Sequence, residues 1–134
     1  MKYALAPEIK EQITKLVPAL KMDHIKIDQI HCIRSFDAKT RAIARIWGMA
    51  KLFSEVAGIK PTYIIEVNAK RFDKQSDHEK LHTLVHELMH IPKTFSGALL
   101  SHRGRHHAIN TREVEKVFEV WNSVHRIYRP NKFS

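Results

Sequence analysis

Five consecutive residues in the second half of the chain, His86-Glu87-Leu88-Met89-His90, set two imidazoles and a carboxylate at a spacing that suits metal-dependent hydrolysis. Histidines four apart on a helix lie about 40° apart around the axis and one turn above the other, so both rings reach one ion. Glu87 neighbours His86 and can lean toward a metal-bound water without occupying a coordination position. Ten histidines in 134 residues make a chance pattern of this kind a matter of about one chain in twenty, so the surrounding elements have to support it.

A third protein ligand must come from outside the pattern. His102, His106 and His107 follow within a short stretch, and Glu113 and Glu115 are carboxylate alternatives. The extended metzincin pattern would place a glycine and a histidine three and six residues after His90, where this chain has Lys93 and Ser96. His82 shares the face of His86 and His90. The outermost Cα atoms of three successive turns stand about 12 Å apart, so His82 reads as a neighbour of the site or as solvent-facing. His24, His31, His78 and His125 read as surface or locally hydrogen-bonded residues.

Composition narrows the classes. A chain of 134 residues with 43% hydrophobic content fits one domain with one core, residues 1–134. The first residues are too short an apolar run for a signal peptide, and no stretch approaches the roughly 18 apolar residues of a membrane span, so a cytosolic protein without membrane contact is expected. Cys32 is the only cysteine, which excludes an intrachain disulfide and a thiolate zinc knuckle. It lies in Ile30-His31-Cys32-Ile33, where it reads as a small core hydrophobe. The net charge of +9 gives a nonspecific attraction to nucleic acid, although the basic residues are spread along the chain as on a solvated surface.

The positioning elements follow from periodicity. Pro7 suits a first helical turn, and Ile9, Ile13, Leu16 and Val17 recur at helical spacing up to Pro18. His24 to Ile33 alternates as a strand, with an irregularity near Gln29. Asp37 is a plausible N-cap for a long amphipathic helix through Ile43, Ile46, Trp47, Ala50, Phe53 and Val56, ended by Gly58. Thr62 to Val67 is β-branched and aromatic, the composition of a packed strand. Ser76 and Glu79 have capping-box spacing ahead of a helix over about 77–91, whose core stripe is Leu81, Leu84, Val85, Leu88 and Met89; Pro92 stops it just after His90. Pro92 to Asn110 reads as a long functional loop, and Asn110 with Glu113 caps a last helix.

The segments Tyr63-Ile64-Ile65-Glu66-Val67 and Leu84 to His102, with Arg41 to Gly48, resemble a little-characterised family of predicted zinc metallopeptidases from archaea and phages, over most of the chain. A looser similarity is to SprT-like proteases, without the cysteine-bearing zinc ribbon that many of those carry. The resemblance implies an α+β, zincin-like fold with a small, mainly antiparallel or mixed sheet against helices. It also implies His86 and His90 as ligands and Glu87 as base, and it tips the third ligand toward His102. A zinc-dependent metallopeptidase acting on peptides or proteins is therefore expected, the ion lowering the pKa of its water. For the oxyanion, Arg103, Arg105, His106, His107 and Tyr63 are candidates. Strand 62–67, were it a sheet edge, could hold an extended peptide. The alternatives are a nucleic-acid-associated zinc protein, using the basic loop and Arg126 to Lys132, and a hydrolase of non-peptide substrates. Sequence says nothing of oligomeric state.

Overall fold

Apolar residues at i, i+4, i+7 and i+8 build the first helix, α1 (Pro7–Ala19), which buries Ile9, Ile13, Leu16 and Val17 and carries Pro7 in its first turn. The computed structural model describes residues 2–101 together with 112, 114–116 and 119. Ahead of α1 runs a strand that periodicity did not announce, β1 (Lys2–Leu5), all four of whose residues are exposed. After α1 a 3-10 turn (Ile27–Gln29) leads into β2 (Ile30–Phe36), so the strand expected from His24 begins only at Ile30, past the anticipated irregularity.

The largest departure concerns residues 37–56, where a long helix was expected. The chain instead forms β3 (Ala44–Trp47) and a short helix, α2 (Lys51–Ala57). Asp37 is no N-cap but sits in the left-handed region at φ 59°. The apolar spacing here satisfies a helix, but β3 gains a full ladder on one side of β4 (Tyr63–Asn68), from Ala44 opposite Val67 to Trp47 opposite Ile64. Two side chains reinforce that ladder: Arg45 donates to Glu66 Oε2 at 3.0 Å and Trp47 Nε1 donates to Glu66 Oε1 at 2.9 Å. Burial alone would raise the Glu66 carboxyl, yet the hydrogen bonds from Arg45, Ser35 and Trp47 outweigh it and hold it below its usual range. Gly58 does end α2, with φ 68° in the position that glycine takes at helix C-termini.

The four strands make one open mixed sheet in the order β1-β2-β4-β3, with β2 and β4 parallel and both outer pairs antiparallel. The molecule is thus α+β. Strand β4 is central, not an edge as strand addition there would require; the edges are β1 and β3. One face of the sheet, with Ile30, Cys32, Tyr63, Ile65 and Val67, shares a continuous core with α1 and with Leu84, Val85 and Leu88. Cys32 is part of that core, where burial pushes its thiol up to about 11 against the smaller opposing effect of Lys10, a poor setting for a nucleophile.

Past β4 a four-residue helix, α3 (Ala69–Phe72), precedes α4 (Asp77–Leu88), the helix of the histidine pattern. Its expected N-terminus is present in full: Ser76 Oγ accepts from the Glu79 amide at 3.2 Å, and Glu79 Oε1 accepts from the Ser76 amide at 2.9 Å. Its C-terminus is earlier than the expected residue 91. From Leu88 the chain tightens, and the amides of His90 and Ile91 bond to the carbonyls three residues back, Glu87 and Leu88, at 3.1 Å each. Among the described residues no helix is long and apolar enough to cross a membrane.

Candidate metal centre

Helix α4 divides its surface between packing and chemistry. Leu84, Val85 and Leu88 are wholly buried in the core, whereas His86, Glu87 and His90 line a cleft of about 630 Å³. The opposite wall of that cleft is Ala44, Arg45 and Ile46 of the edge strand β3, and its rim is Leu99, Leu100 and Ser101. Nothing in the spacing of apolar residues announced β3 or Leu100 as neighbours of the histidines, because each reaches the site through the backbone path of the fold.

The orientation of His90 is fixed from behind. Its Nδ1 lies 2.6 Å from the Leu100 carbonyl, and a carbonyl only accepts, so Nδ1 carries the proton and the Nε2 lone pair of the neutral ring faces away. The Leu100 amide in turn donates to the His90 carbonyl at 2.7 Å, so residues 90 and 100 are joined by two hydrogen bonds. His86 presents its own Nε2 to that of His90 at 3.4 Å, with the ring planes 68° apart. Two nitrogens bound at about 2.05 Å on a tetrahedral ion stand about 3.4 Å apart. The separation of the two Nε2 atoms matches that spacing. Glu87, between them in sequence, is 8% exposed, and burial pushes its carboxyl up to about 8.

A strained loop supports the rim. Phe95 is buried with φ 47°, a conformation rare for a bulky residue, and its ring meets Tyr63 edge-on at 5.0 Å. The Tyr63 hydroxyl donates to the Ala98 carbonyl and accepts from the Gly97 amide, both at 2.8 Å. The single O–H donor of that hydroxyl is thereby engaged, which removes Tyr63 from the candidates for stabilising an oxyanion. Gly97 also accepts from the Met49 amide at 2.9 Å, and a Cβ on Gly48 would stand 2.2 Å from the same carbonyl, so the two backbones meet where only glycine fits.

Among the described residues, no group of three histidine, cysteine, aspartate or glutamate side chains converges on a common point. His102, His106, His107 and Glu113 lie outside the described residues, as do Arg103, Arg105 and His125. Glu115 is described, and its Oε1 stands 2.9 Å from His82 Nε2, so that carboxylate is engaged a turn upstream of His86. His24 bonds through Nε2 to the Ile91 carbonyl at 3.2 Å, and His31 and His78 are exposed.

The α+β fold brings two imidazoles and a buried carboxyl into one cleft. The chain belongs to the family described as "Putative phage metallopeptidase", whose model matches residues 1–130. Membership implies a metal cofactor and peptide or protein substrates. Comparisons with curated proteins and with solved structures give no match.

Proposed function

We propose that this chain is a zinc metallopeptidase in which His86, His90 and His102 hold the ion and Glu87 is the catalytic base. The observation that carries the reading is the 3.4 Å between the two Nε2 atoms, with the His90 ring oriented by the Nδ1 bond to Leu100. Nitrogen donors favour zinc among common divalent ions of this geometry. His102 is favoured over the later histidines by reach. Two residues span at most about 7 Å, so His102 cannot stray far from Leu100, which touches His90, whereas His106 and His107 would need the chain to turn back.

When bound, the ion supplies Lewis acidity to a water and to the substrate carbonyl. Glu87, which burial alone keeps protonated near neutrality, is the carboxylate beside a cation and can accept a proton there. It takes a proton from the water that attacks the carbonyl carbon and returns it to the amide nitrogen as the C–N bond breaks, leaving a carboxylic acid and an amine. The substrate lies extended along the outer edge of β3, which walls the cleft and among the described residues pairs with no strand other than β4. The Glu66 contacts to Arg45 and Trp47 hold that edge flat against β4.

The test is a pair of variants. Glu87→Gln should keep about one zinc per chain and lose at least a hundredfold of the hydrolysis of an unfolded protein substrate. His102→Ala should lower zinc affinity by a hundredfold or more, with His106→Ala and His107→Ala within a few-fold of the wild type. Loss of zinc in Glu87→Gln would make Glu87 a ligand and end the reading. Essential binding by His106 or His107 would replace His102 alone.

A further inference from the structure

The parallel strands β2 and β4 end side by side, and the chain leaving each of them opens a second cavity of about 650 Å³ away from the histidines. Its walls are residues 36–40, which follow from β2, and residues 68–71 with Asp73, which follow from β4. Crevices beyond the carboxyl ends of parallel strands are common ligand sites in open α/β sheets, and here the segment leaving β2 passes the end of β4 on its way to β3 and forms one wall. This one is basic. Lys39, Lys70 and Arg71 line it, against Asp37 and Asp73. Asp73 accepts from Arg34, whose Nη2 donates to Oδ1 at 2.5 Å and whose Nη1 pairs with Glu8, so the two carboxylates share one guanidinium. Among the described residues, Lys39, Lys70 and Arg71 have no ion-pair partner, so three cations outnumber Asp37 and an Asp73 that is partly compensated by Arg34.

The walls are held in place. The Asn68 amide donates to the Ile43 carbonyl at 2.8 Å, the Asn68 side chain caps α3 by accepting from the Arg71 amide at 3.4 Å, and Thr40 Oγ1 accepts from the Ala42 amide at 3.1 Å. Phe36, 42% exposed, completes the lining with an aromatic surface beside the cations. Cations with an accessible ring are the elements that bind single strands, the charges tracking phosphates and the ring stacking a base. An acidic peptide would satisfy the charges and leave Phe36 uncovered. A duplex keeps its bases stacked inside and cannot put one into a cavity.

We propose that this cavity binds single-stranded nucleic acid, with phosphates on Lys39, Lys70 and Arg71 and a base on Phe36. The site differs from the basic loop and C-terminal segment that composition suggests, and it does not depend on the peptidase reading.

The experiment is fluorescence anisotropy of a labelled oligothymidine of about twenty nucleotides, titrated with the full chain at several salt concentrations. Lys39→Glu with Lys70→Glu and Arg71→Glu should weaken binding at least tenfold, and each single alanine variant should reduce the salt slope by about 0.7. Phe36→Ala should weaken binding several-fold and leave the salt slope unchanged, which a purely electrostatic surface would not do. All four residues are exposed, and unchanged thermal unfolding of the variants shows that the effect is on binding. The proposal is overturned if the wild type does not bind at low salt or if the triple variant binds like the wild type. It is equally overturned if Arg126→Glu with Arg129→Glu removes binding while the triple variant retains it, or if polyglutamate of matched charge competes as well as the oligonucleotide.

Discussion

Glu87 has a consequence that can be measured without any substrate. Burial pushes its carboxyl up to about 8 in the folded chain against about 4.5 for an ordinary glutamate, so the folded state binds an extra proton between those limits. The metal-free protein should therefore lose stability as pH rises through that window, by up to on the order of 5 kcal/mol, and lose no more from this group above it. Urea midpoints of the metal-free chain from about pH 5 to about pH 8 should fall, and those of Glu87→Gln should fall less, the difference isolating Glu87 from the titrating histidines. Parallel slopes for the two proteins would contradict the burial of the charge. At this scale the sequence was legible where chemistry is local. His86, Glu87 and His90 are read from five adjacent positions, and Cys32 from its apolar neighbours. The hold of Leu100 on His90 was not legible, because a backbone carbonyl carries no residue-specific signal, and neither was the engagement of the Tyr63 hydroxyl by Gly97 and Ala98.

Two elements show where local pattern suffices and where it does not. Helix α4 is specified by its own sequence, through the Ser76–Glu79 box and a stripe of leucine and valine, and it forms where expected to within a turn at its end. Ser76→Ala should cost about 1 kcal/mol of stability and leave zinc affinity nearly unchanged, since the cap lies nearly three turns from His86; equilibrium unfolding and zinc titration check both halves. A loss of metal affinity in that variant would mean that the first turn holds the site. Residues 37–56 satisfy helical spacing just as well, yet they fold as β3 and α2. Their fate is decided by β4, which lies far along the chain and offers both an open ladder and the Glu66 carboxylate to Arg45 and Trp47. Such pairing across distance is invisible to periodicity. β1 was missed for a different reason, since its four exposed residues bury no face.

Across the whole molecule, α1, the sheet and α4 share one core whose members Ile13, Ile30, Ile65, Leu84 and Leu88 are fully buried without help from an ion. Chelated protein should accordingly unfold cooperatively, and zinc at about a thousandfold excess over its dissociation constant should raise the midpoint by on the order of 10 °C through mass action. Differential scanning calorimetry with and without chelator checks this; a chelated chain without a transition would make the metal a folding requirement. The two hydrogen bonds between residues 90 and 100 bear on how this architecture tolerates change in chain length. They meter the segment between: one residue added or removed from 91 to 99 would break the grip on the imidazole or drag the Tyr63 anchor off Gly97. That stretch is length-locked at both its ends, and insertions that spare the site belong beyond His102, the proposed third ligand.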